Sequence, residues 1–467
     1  MSLLVKMFTN KNAKAGSFYL IGNLFNKAIA FITIPIFTRL MSTSDYGIVN
    51  TYLSWVSILS LIVGLSLGNS LRSAYIDYKE DLEGYISSIF FLSLLNFIIS
   101  STLIIVISHF FFEKLDITLV ILCLVQSFMT FILNSITIKY MLSVNYIKRT
   151  LLLALPNVIV SILSIFFLIN MNDNQYLGRI IPYVITTSLI AMYYLVKIFI
   201  QGKKYIDKTY WKYAIILSLP LIFHGLSATI LRTSDLTMLT AFRSTSEAGI
   251  YSLVYNLSMI SLVITSSLES VWIPWFNKKL LGGERESINK NVKIYIELVV
   301  IAMIGILLIS PEVLVIIAPK EYWSGDILIP LVLLASFFIF LYSISVNLEY
   351  FYKSIKIIAT NTFIAAALNL VLNLILIPSY GYIAAAFTTV IAYAVTFGIH
   401  YYAARKLDNL LFPFKIYIKP IITMILAVII SYLIIDYAIF RWLIAFVGSF
   451  IYILVSFRKN RFTALLK

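Results

Sequence analysis

Charged residues are scarce in this sequence: Asp, Glu, Lys and Arg make up only 12% of its 467 residues, whereas 61% are hydrophobic. An ordinary soluble domain is about 25% charged. The mean hydropathy of +0.95 is correspondingly high. These values exclude a soluble globular protein and predict a membrane protein with many spans.

Cysteine and histidine are also rare, and this excludes several kinds of site. The single cysteine, Cys123, can form neither an intramolecular disulfide nor a cysteine-based metal site. His109, His224 and His400 fall in different apolar segments, so they predict no histidine metal cluster. The sequence contains no P-loop, zinc-protease, nucleophile-elbow or dinucleotide-binding motif. We therefore expect no catalytic residues and no metal site.

Long apolar segments dominate what is present. A helix needs about 20 predominantly apolar residues to cross a bilayer. The sequence offers about fourteen such segments and predicts an all-α polytopic membrane protein. The predicted spans are 17–38, 47–69, 85–108, 117–143, 151–170, 178–200, 214–241, 248–276, 293–318, 327–352, 358–377, 382–403, 414–435 and 440–457.

The positions of the basic residues explain the net charge of +15. Of the 36 lysines and arginines, 28 fall in the termini and in the alternate loops that share a side with them. The positive-inside rule therefore predicts that both termini are cytoplasmic. Because topology accounts for the excess charge, we expect no nucleic-acid partner.

A short sequence occurs twice, which predicts an internal repeat. Ser42–Ile48 and Ser244–Ile250 share five of seven residues at a separation of 202, and both have the S-x-x-[DE] spacing of a helix-capping box. The repeat predicts two pseudo-symmetric six-helix lobes of the same orientation. The expected boundaries are an N-lobe at 1–200, a basic cytoplasmic linker at 201–213, a C-lobe at 214–406, and two further helices with a cytoplasmic tail at 407–467.

Two basic residues, Lys27 and Arg232, remain after the topology has accounted for the others, and both fall inside predicted spans. A charge at the bilayer centre costs about 2.5 kcal/mol or more, so Lys27 is expected to face protein or a water-filled cavity. Snorkelling of its flexible side chain to the interface is the alternative. Asn23, one turn earlier, would line the same helix face.

Arg232 and Asp235 are spaced i, i+3 in the seventh span. They fit either a partner pair that keeps the arginine ready for a phosphate or a structural ion pair near the outer interface. His224, on the same helix, could titrate or donate to a phosphate, or bond to a neighbouring backbone group.

Charged side chains near the predicted cytoplasmic helix ends are candidates for a gate. These are Arg72, Glu269, Glu297 and Glu349. Glu297 with Lys293, and Glu349 with Lys353, have the i, i+4 spacing of interface salt bridges. Glu269 has no charged neighbour at such a spacing, so it is a candidate for coupling to an ion or a proton.

One region resembles a known family. It contains N-L-V-L-N at 369–373, I-P-S-Y-G-Y-I-A-A-A at 377–386 and T-T at 388–389. This pattern is similar to that of bacterial polysaccharide repeat-unit flippases of the Wzx type, in the MOP superfamily that also holds MATE drug exporters and lipid II flippases. Pro220, Ser234-Asp235, S-D-Y-G at 44–47 and E-A-G-I-Y-S at 247–252 extend the resemblance over the chain. Ala384 and Leu236 depart from the family, which often has Gly and Arg there.

The resemblance implies that undecaprenyl-diphosphate-linked oligosaccharide, such as an O-antigen or capsule unit, crosses from the cytoplasmic to the outer leaflet by alternating access. It places the protein in the bacterial cytoplasmic (inner) membrane, with a cationic central cavity and two additional helices that form a lipid groove. The implied partners are the substrate, membrane lipids, and polysaccharide polymerase and assembly proteins. The resemblance implies Lys27 and Arg232 as diphosphate contacts. From their positions in the predicted spans, Asn23 and His224 are expected as neighbouring polar contacts, and Asp235, Glu269 and Arg72 are candidates for gating or ion coupling.

The driving force stays open at this point. The interior of a bacterial cell is electrically negative, so each anionic charge moved outward releases about 2.3 kcal/mol per about 100 mV. The membrane potential, a proton or a sodium ion could therefore supply the energy, and no bound cofactor is expected.

Three alternatives are weighed against this hypothesis. A lipid II flippase usually has more arginines in its first two helices than Arg39 and Arg72. A MATE-type cation-coupled exporter would normally have twelve helices and a deep carboxylate in its first lobe, where this sequence has Lys27. A membrane enzyme of polysaccharide assembly would typically carry a long outer loop with catalytic charges, and the predicted loops are short.

Overall fold

The computed structural model describes residue 29, residues 31–111 and residues 116–458. Helices follow one another throughout these ranges, with no strand among the described residues, which confirms the predicted all-α fold. The α-helices are α1 (Phe31–Leu40), α2 (Thr43–Val63), α3 (Leu71–Asp77), α4 (Leu82–Phe111), α5 (Ile117–Leu142), α6 (Tyr146–Asn170), α7 (Gln175–Gly202), α8 (Lys208–Phe242), α9 (Thr245–Leu281), α10 (Arg285–Ile317), α11 (Ile329–Phe351), α12 (Ile355–Leu407), α13 (Lys415–Leu433) and α14 (Ala438–Arg458).

Eleven helices in the described ranges are long and apolar enough to cross a membrane. One of these, α12, contains two of the predicted spans, because Gly381 breaks its helical geometry with φ 59° and ψ −141°. The shorter apolar helices α1 and α14 correspond to the first and last predicted spans. The fourteen-span architecture expected from the sequence is therefore confirmed. The short helix α3 was not predicted.

The chain divides into two compact units, Met1–Ser234 and Asp235–Lys467. In the first unit, α2 packs against α5, and α7 packs against α4, α5 and α6. Tyr52 of α2 donates a hydrogen bond from its hydroxyl to Gln126 Oε1 of α5 at 2.7 Å, and both side chains are buried. Because lipid provides no hydrophobic drive between membrane helices, such polar contacts and close packing hold them together. The predicted boundaries at 200 and 406 stay predictions.

An aromatic and ionic cluster fixes the start of α8 in the first unit. Tyr213 donates to Asp77 at 2.5 Å, and Tyr210 and Lys204 both donate to Asp81 at 2.6 Å. The hydrogen bond from the exposed Lys204 to this carboxylate raises the pKa of the lysine. The basic segment predicted as a linker is thus tied to Asp77 at the end of α3 and to Asp81, which follows it.

The second unit is built on α11, which packs against α9, α10, α12 and α13. Trp272 of α9 stacks on Tyr295 of α10 with ring centroids 4.8 Å apart. At the other side of α10, buried Arg441 of α14 binds both carboxylate oxygens of Glu312 and donates to the Leu308 carbonyl at 3.0 Å. The last helix is therefore held to α10 by an ion pair between a buried arginine and a half-buried glutamate.

The two copies of the repeated sequence form matching corners, one in each unit. Ser42 caps the Asp45 amide at 3.0 Å, and Ser244 caps the Glu247 amide at 3.1 Å, as the capping-box pattern predicts. Each acid also accepts a backbone amide from a helix more than a hundred residues later. Asp45 accepts the Tyr176 amide in the first turn of α7.

Candidate functional site

The candidate site is a buried polar network around Asp235, in the second unit. Asp235 lies on the last turns of α8 and is only 2% exposed. Its carboxylate accepts three hydrogen bonds: from the Tyr251 hydroxyl of α9 at 2.6 Å, from Asn373 Nδ2 at 2.5 Å and from the Thr389 hydroxyl at 2.7 Å. Asn373 and Thr389 both belong to α12.

Further polar groups of α12 extend this network. Asn373 Nδ2 also lies 3.2 Å from Asn369 Oδ1, and Asn373 Oδ1 accepts the hydroxyl hydrogen of Thr388. The Thr389 hydroxyl also lies 2.8 Å from the Ala385 carbonyl oxygen. Asn369, Asn373 and Thr388 are fully buried. The network is therefore a dry set of neutral donors and oxygen acceptors around one carboxyl group.

The geometry of α12 explains why these residues meet. Asn369 and Asn373 are spaced i, i+4 and share a helix face before the break at Gly381. Thr388 and Thr389 lie two turns after the break. The small side chains Ala384, Ala385 and Ala386 are all buried, which allows neighbouring helix backbones to approach closely. The N-x-x-x-N and A-A-A-x-T-T patterns thus contribute side chains to the same site from the two halves of α12.

The chemistry of the network suits a small hard cation or a proton. All three hydrogen-bond partners of the Asp235 carboxylate are uncharged. An ionised carboxylate away from water is costly unless it is compensated. Carboxylate, amide, hydroxyl and carbonyl oxygens are the ligands that hard cations prefer. Among the described residues no group of three His, Cys, Asp or Glu side chains could hold a metal ion, so a site for a transition metal is not indicated there.

The other predicted site residues are not members of this network. Lys27 and Asn23 lie outside the described residues. The Arg232 side chain, one turn before Asp235 on α8, is exposed, and His224 of the same helix is half-buried. The carboxylate of the predicted i, i+3 pair is instead occupied by the three donors from α9 and α12.

The predicted gate residues occupy separate positions. Arg72 is exposed on α3 in the first unit. Glu269 is half-buried on α9 in the second unit, where it lies near Ser343 of α11 and Tyr295 of α10. Glu269 therefore has polar neighbours that are different from those of Asp235.

Comparison with known proteins identifies the family. Residues 13–279 match the family model described as "Polysaccharide biosynthesis protein". The chain belongs to this polysaccharide biosynthesis family.

One curated relative of this family member is the probable low-salt glycan biosynthesis flippase Agl15 of Haloferax volcanii. It is 26% identical over 198 residues, which cover 41% of this chain and 40% of the relative. The match thus spans about two fifths of the relative's length.

Solved structures show the fold to which this family member belongs. The lipid II flippase MurJ in an inward closed conformation has a TM-score of 0.64 at 15% identity, covering 94% of this chain and 98% of MurJ. An inward-facing MATE multidrug resistance transporter of the MOP superfamily has a TM-score of 0.54 at 14% identity, covering 83% and 95%. These likenesses confirm the fold that the resemblance to the MOP superfamily implied.

A buried pair in this family member differs from the sequence prediction. Glu349 was expected to form an interface salt bridge with Lys353. Instead, Glu349 of α11 is fully buried and its carboxylate lies 2.8 Å from Nδ1 of His400 on α12, whereas Lys353 is exposed. The i, i+4 spacing did not predict this contact because its partner is 51 residues away.

Arg179 is a further charged residue that the sequence did not single out as a site candidate. The structure places Arg179 in the first turns of α7, with its guanidinium 3.8 Å from the centre of the Phe37 ring of α1. Among the described residues, no carboxylate forms an ion pair with it, and its Nη1 is buried without a hydrogen-bond partner. A partly buried cation of this kind is a candidate anion contact.

Proposed function

We propose that this protein is a flippase that moves undecaprenyl-diphosphate-linked oligosaccharide from the cytoplasmic to the outer leaflet by alternating access. The observation that carries the proposal is the Asp235 network. A dry carboxyl group with only neutral partners is a costly feature for a helix bundle, and it is assembled from the residues that resemble those of polysaccharide flippases. Membership of the polysaccharide biosynthesis family supports the same substrate class.

Such a substrate has an apolar tail and a charged head group, and moving the head group across the membrane requires a transporter with a polar path. The polyprenyl tail can stay in lipid, whereas the diphosphate and sugars need a polar path through the hydrocarbon layer. Basic groups along this path offset the loss of water around the diphosphate. We propose Lys27 and Arg232 as contacts to it, Asn23 and His224 as neighbouring polar contacts, and Arg179 as a further cation.

Energy for the cycle comes from the membrane potential together with an ion. Outward movement of a negative head group is favoured by about 2.3 kcal/mol per charge per about 100 mV. We propose that Asp235 binds sodium or a proton during the return of the empty protein. Sodium would use the oxygens of Asp235, Asn369, Asn373, Thr389 and Ala385, while a proton would neutralise the carboxyl group directly. Glu269 and Arg72 are proposed as gating groups.

Complementation of a bacterium that lacks its own repeat-unit flippase tests this function. Wild-type protein is expected to restore surface polysaccharide, and Asp235→Asn is expected to reduce it at least about tenfold because the amide cannot be charged. The exposed Asp173→Asn is the matched control. Immunoblots of membranes must show equal amounts of each variant.

A second set of variants tests the head-group contacts. Lys27→Ala should abolish export while Lys27→Arg retains it, and Arg232→Ala and Arg179→Ala should each weaken export. Normal export by Lys27→Ala would move the proposed contact elsewhere. If wild-type protein restored no lipid-linked glycan export but lowered drug accumulation, the multidrug exporter alternative would replace the flippase.

A further inference from the structure

The Glu349–His400 pair is the most completely buried pair of titratable groups in the described second unit. The two side chains are 0% and 1% exposed, and His400 Nδ1 lies 2.8 Å and 3.0 Å from the two carboxylate oxygens. The Tyr342 ring stacks against the imidazole with centroids 5.7 Å apart, and Tyr393 stacks on Tyr342. The contact therefore sits in an aromatic wall between α11 and α12, away from water.

The second nitrogen of the imidazole is unusual. His400 Nε2 is buried and has no hydrogen-bond partner among the described residues. Buried polar atoms in folded proteins are nearly always paired, and those that are not call for an explanation. A lone Nε2 in a dry wall is explained if another conformation of the protein brings water or a polar group to it.

The charge of the pair depends on how many protons it holds. With neutral His400 and ionised Glu349 the pair has a net charge of −1, and one additional proton makes it neutral overall. Burial strongly disfavours an uncompensated charge, whereas a hydrated site tolerates it. Two groups in such close contact take up and release protons as a pair. The closed, dry arrangement therefore favours the form with the added proton.

Other titratable groups on the surrounding helices do not supply the missing compensation. Asp408 pairs with Arg285, Arg405 donates to the Leu411 carbonyl, and Lys353 is exposed. Further titratable residues on the helices packed around the pair include Tyr342 and Tyr350 on α11, Tyr393, Tyr401, Tyr402 and the exposed Lys406 on α12, Tyr417 on α13, and Glu269 on α9.

The position of the pair separates it from the Asp235 network. His400 follows Thr389 by eleven residues on α12, which is about 16 Å along a helix at about 1.5 Å per residue. Lys353 after α11 and Lys356, Arg405 and Lys406 in the terminal turns of α12 lie near this end, so the charge bias predicts that it is the cytoplasmic end. A proton from the cytoplasm could reach it without passing Asp235.

We infer that Glu349 and His400 form a proton-binding site that takes up one proton when the predicted cytoplasmic end of α11 and α12 closes. Opening admits water to Nε2, and the pair then releases its proton to the cytoplasm. High pH therefore favours the open arrangement and low pH the closed one. The inference extends the proposed transport cycle, but the site and its test do not need a substrate.

Cysteine accessibility tests the site directly, because Cys123 is the only cysteine in the sequence. In a Cys123→Ser background, Ser345→Cys places a thiol one turn before Glu349, at a fully buried and nearly isosteric position. Lys353→Cys, at the exposed end of the same segment, is the matched control for the pH dependence of the thiol reaction. A membrane-impermeant thiol reagent is added to the full chain in lipid nanodiscs.

The measured quantity is the labelling rate of Ser345→Cys divided by that of Lys353→Cys. The ratio is expected to rise at least about fivefold between about pH 5 and about pH 8, the range in which histidine side chains of proteins generally change their charge. Glu349→Gln is expected to abolish this rise, because without the carboxylate the pair carries no negative charge at high pH.

Two results would overturn the inference. One is a ratio that does not change with pH although the pair is intact. The other is a rise that persists in Glu349→Gln, since another group would then be responsible. If the wild-type protein exported no glycan in vivo but its cysteine variants still showed the pH response in this assay, the proposed flippase function would be contradicted. The proton site would then still be supported.

Discussion

The Glu247 carboxylate accepts the Tyr382 backbone amide at 3.2 Å, directly after Gly381 breaks α12. Its counterpart in the first unit, Asp45, accepts the Tyr176 amide at the same distance, in the first turn of α7. In each unit the acid of the repeated sequence therefore caps the start of a later helical segment: α7 in the first unit, and the half of α12 after Gly381 in the second. A negative group at a helix start satisfies an unpaired amide and complements the helix dipole.

Removal of either acid should weaken its own unit. Asp45→Ala and Glu247→Ala are each expected to destabilise the protein by about 1 kcal/mol, the usual cost of a lost helix cap. Thermal unfolding of the purified protein in detergent measures this. Asp173→Ala, which removes an exposed carboxylate, is expected to leave the midpoint unchanged, and an equal loss in all three variants would contradict the capping role.

Gly381 is required by the break in α12. Its φ of 59° is unfavourable for other residues, and an added Cβ would lie 2.2 Å from Glu247 Oε2. We expect Gly381→Ala to cost about 1–3 kcal/mol, as strained backbone positions do. The control is Gly398→Ala in the same helix, where an added Cβ meets nothing within 4 Å. That control should be neutral or slightly stabilising, because alanine is the better helix former.

The Thr389 hydroxyl is expected to stabilise the Asp235 site through the hydrogen bond that it donates, and not through its packing. Thr389→Val removes one of three donors to a buried carboxylate, and we expect a loss of about 1–3 kcal/mol. Thr389→Ser keeps the hydroxyl and should lose less. Unfolding midpoints in the presence and absence of sodium compare the two; an identical loss in both variants would show that packing alone is affected.

The Arg441–Glu312 pair offers a double-variant test. Arg441→Met leaves the Glu312 carboxylate without its partner, so a loss of about 2–4 kcal/mol is expected. Adding Glu312→Gln should recover much of that loss, because the second substitution removes the uncompensated charge. Unfolding of the single and double variants provides the coupling. Strictly additive losses would mean that the pair does not hold α14 to α10.

Local features of this protein were predictable from sequence. The lengths of the apolar segments located the fourteen spans, and the S-x-x-[DE] spacing located two helix caps. Both signals were visible because each is carried by residues that are close together in the sequence. The family-like residues 369–389 were also visible, and the structure assembles them into one network. The two halves of α12 were separable in advance because proline and glycine mark their junction.

Long-range pairings were not predictable in the same way. Local spacing predicted that Arg232 pairs with Asp235 and that Lys353 pairs with Glu349. The residues that contact these acids lie 16 to 154 residues away; they are Tyr251, Asn373, Thr389 and His400. A helical sequence repeats every few residues, so it reveals which side chains share a face and not which helix packs against that face.

The central claim is that this chain moves a lipid-linked oligosaccharide across a bilayer. The most direct measurement reconstitutes purified protein into liposomes that contain a labelled undecaprenyl-diphosphate oligosaccharide, and follows how fast the inner-leaflet glycan becomes accessible to an added glycosidase. We predict accessibility at least about tenfold faster than in protein-free liposomes, with Asp235→Asn close to the protein-free rate and Asp173→Asn like wild type. Accessibility no faster than in protein-free liposomes, with folded and inserted wild-type protein and an imposed membrane potential, would contradict the claim.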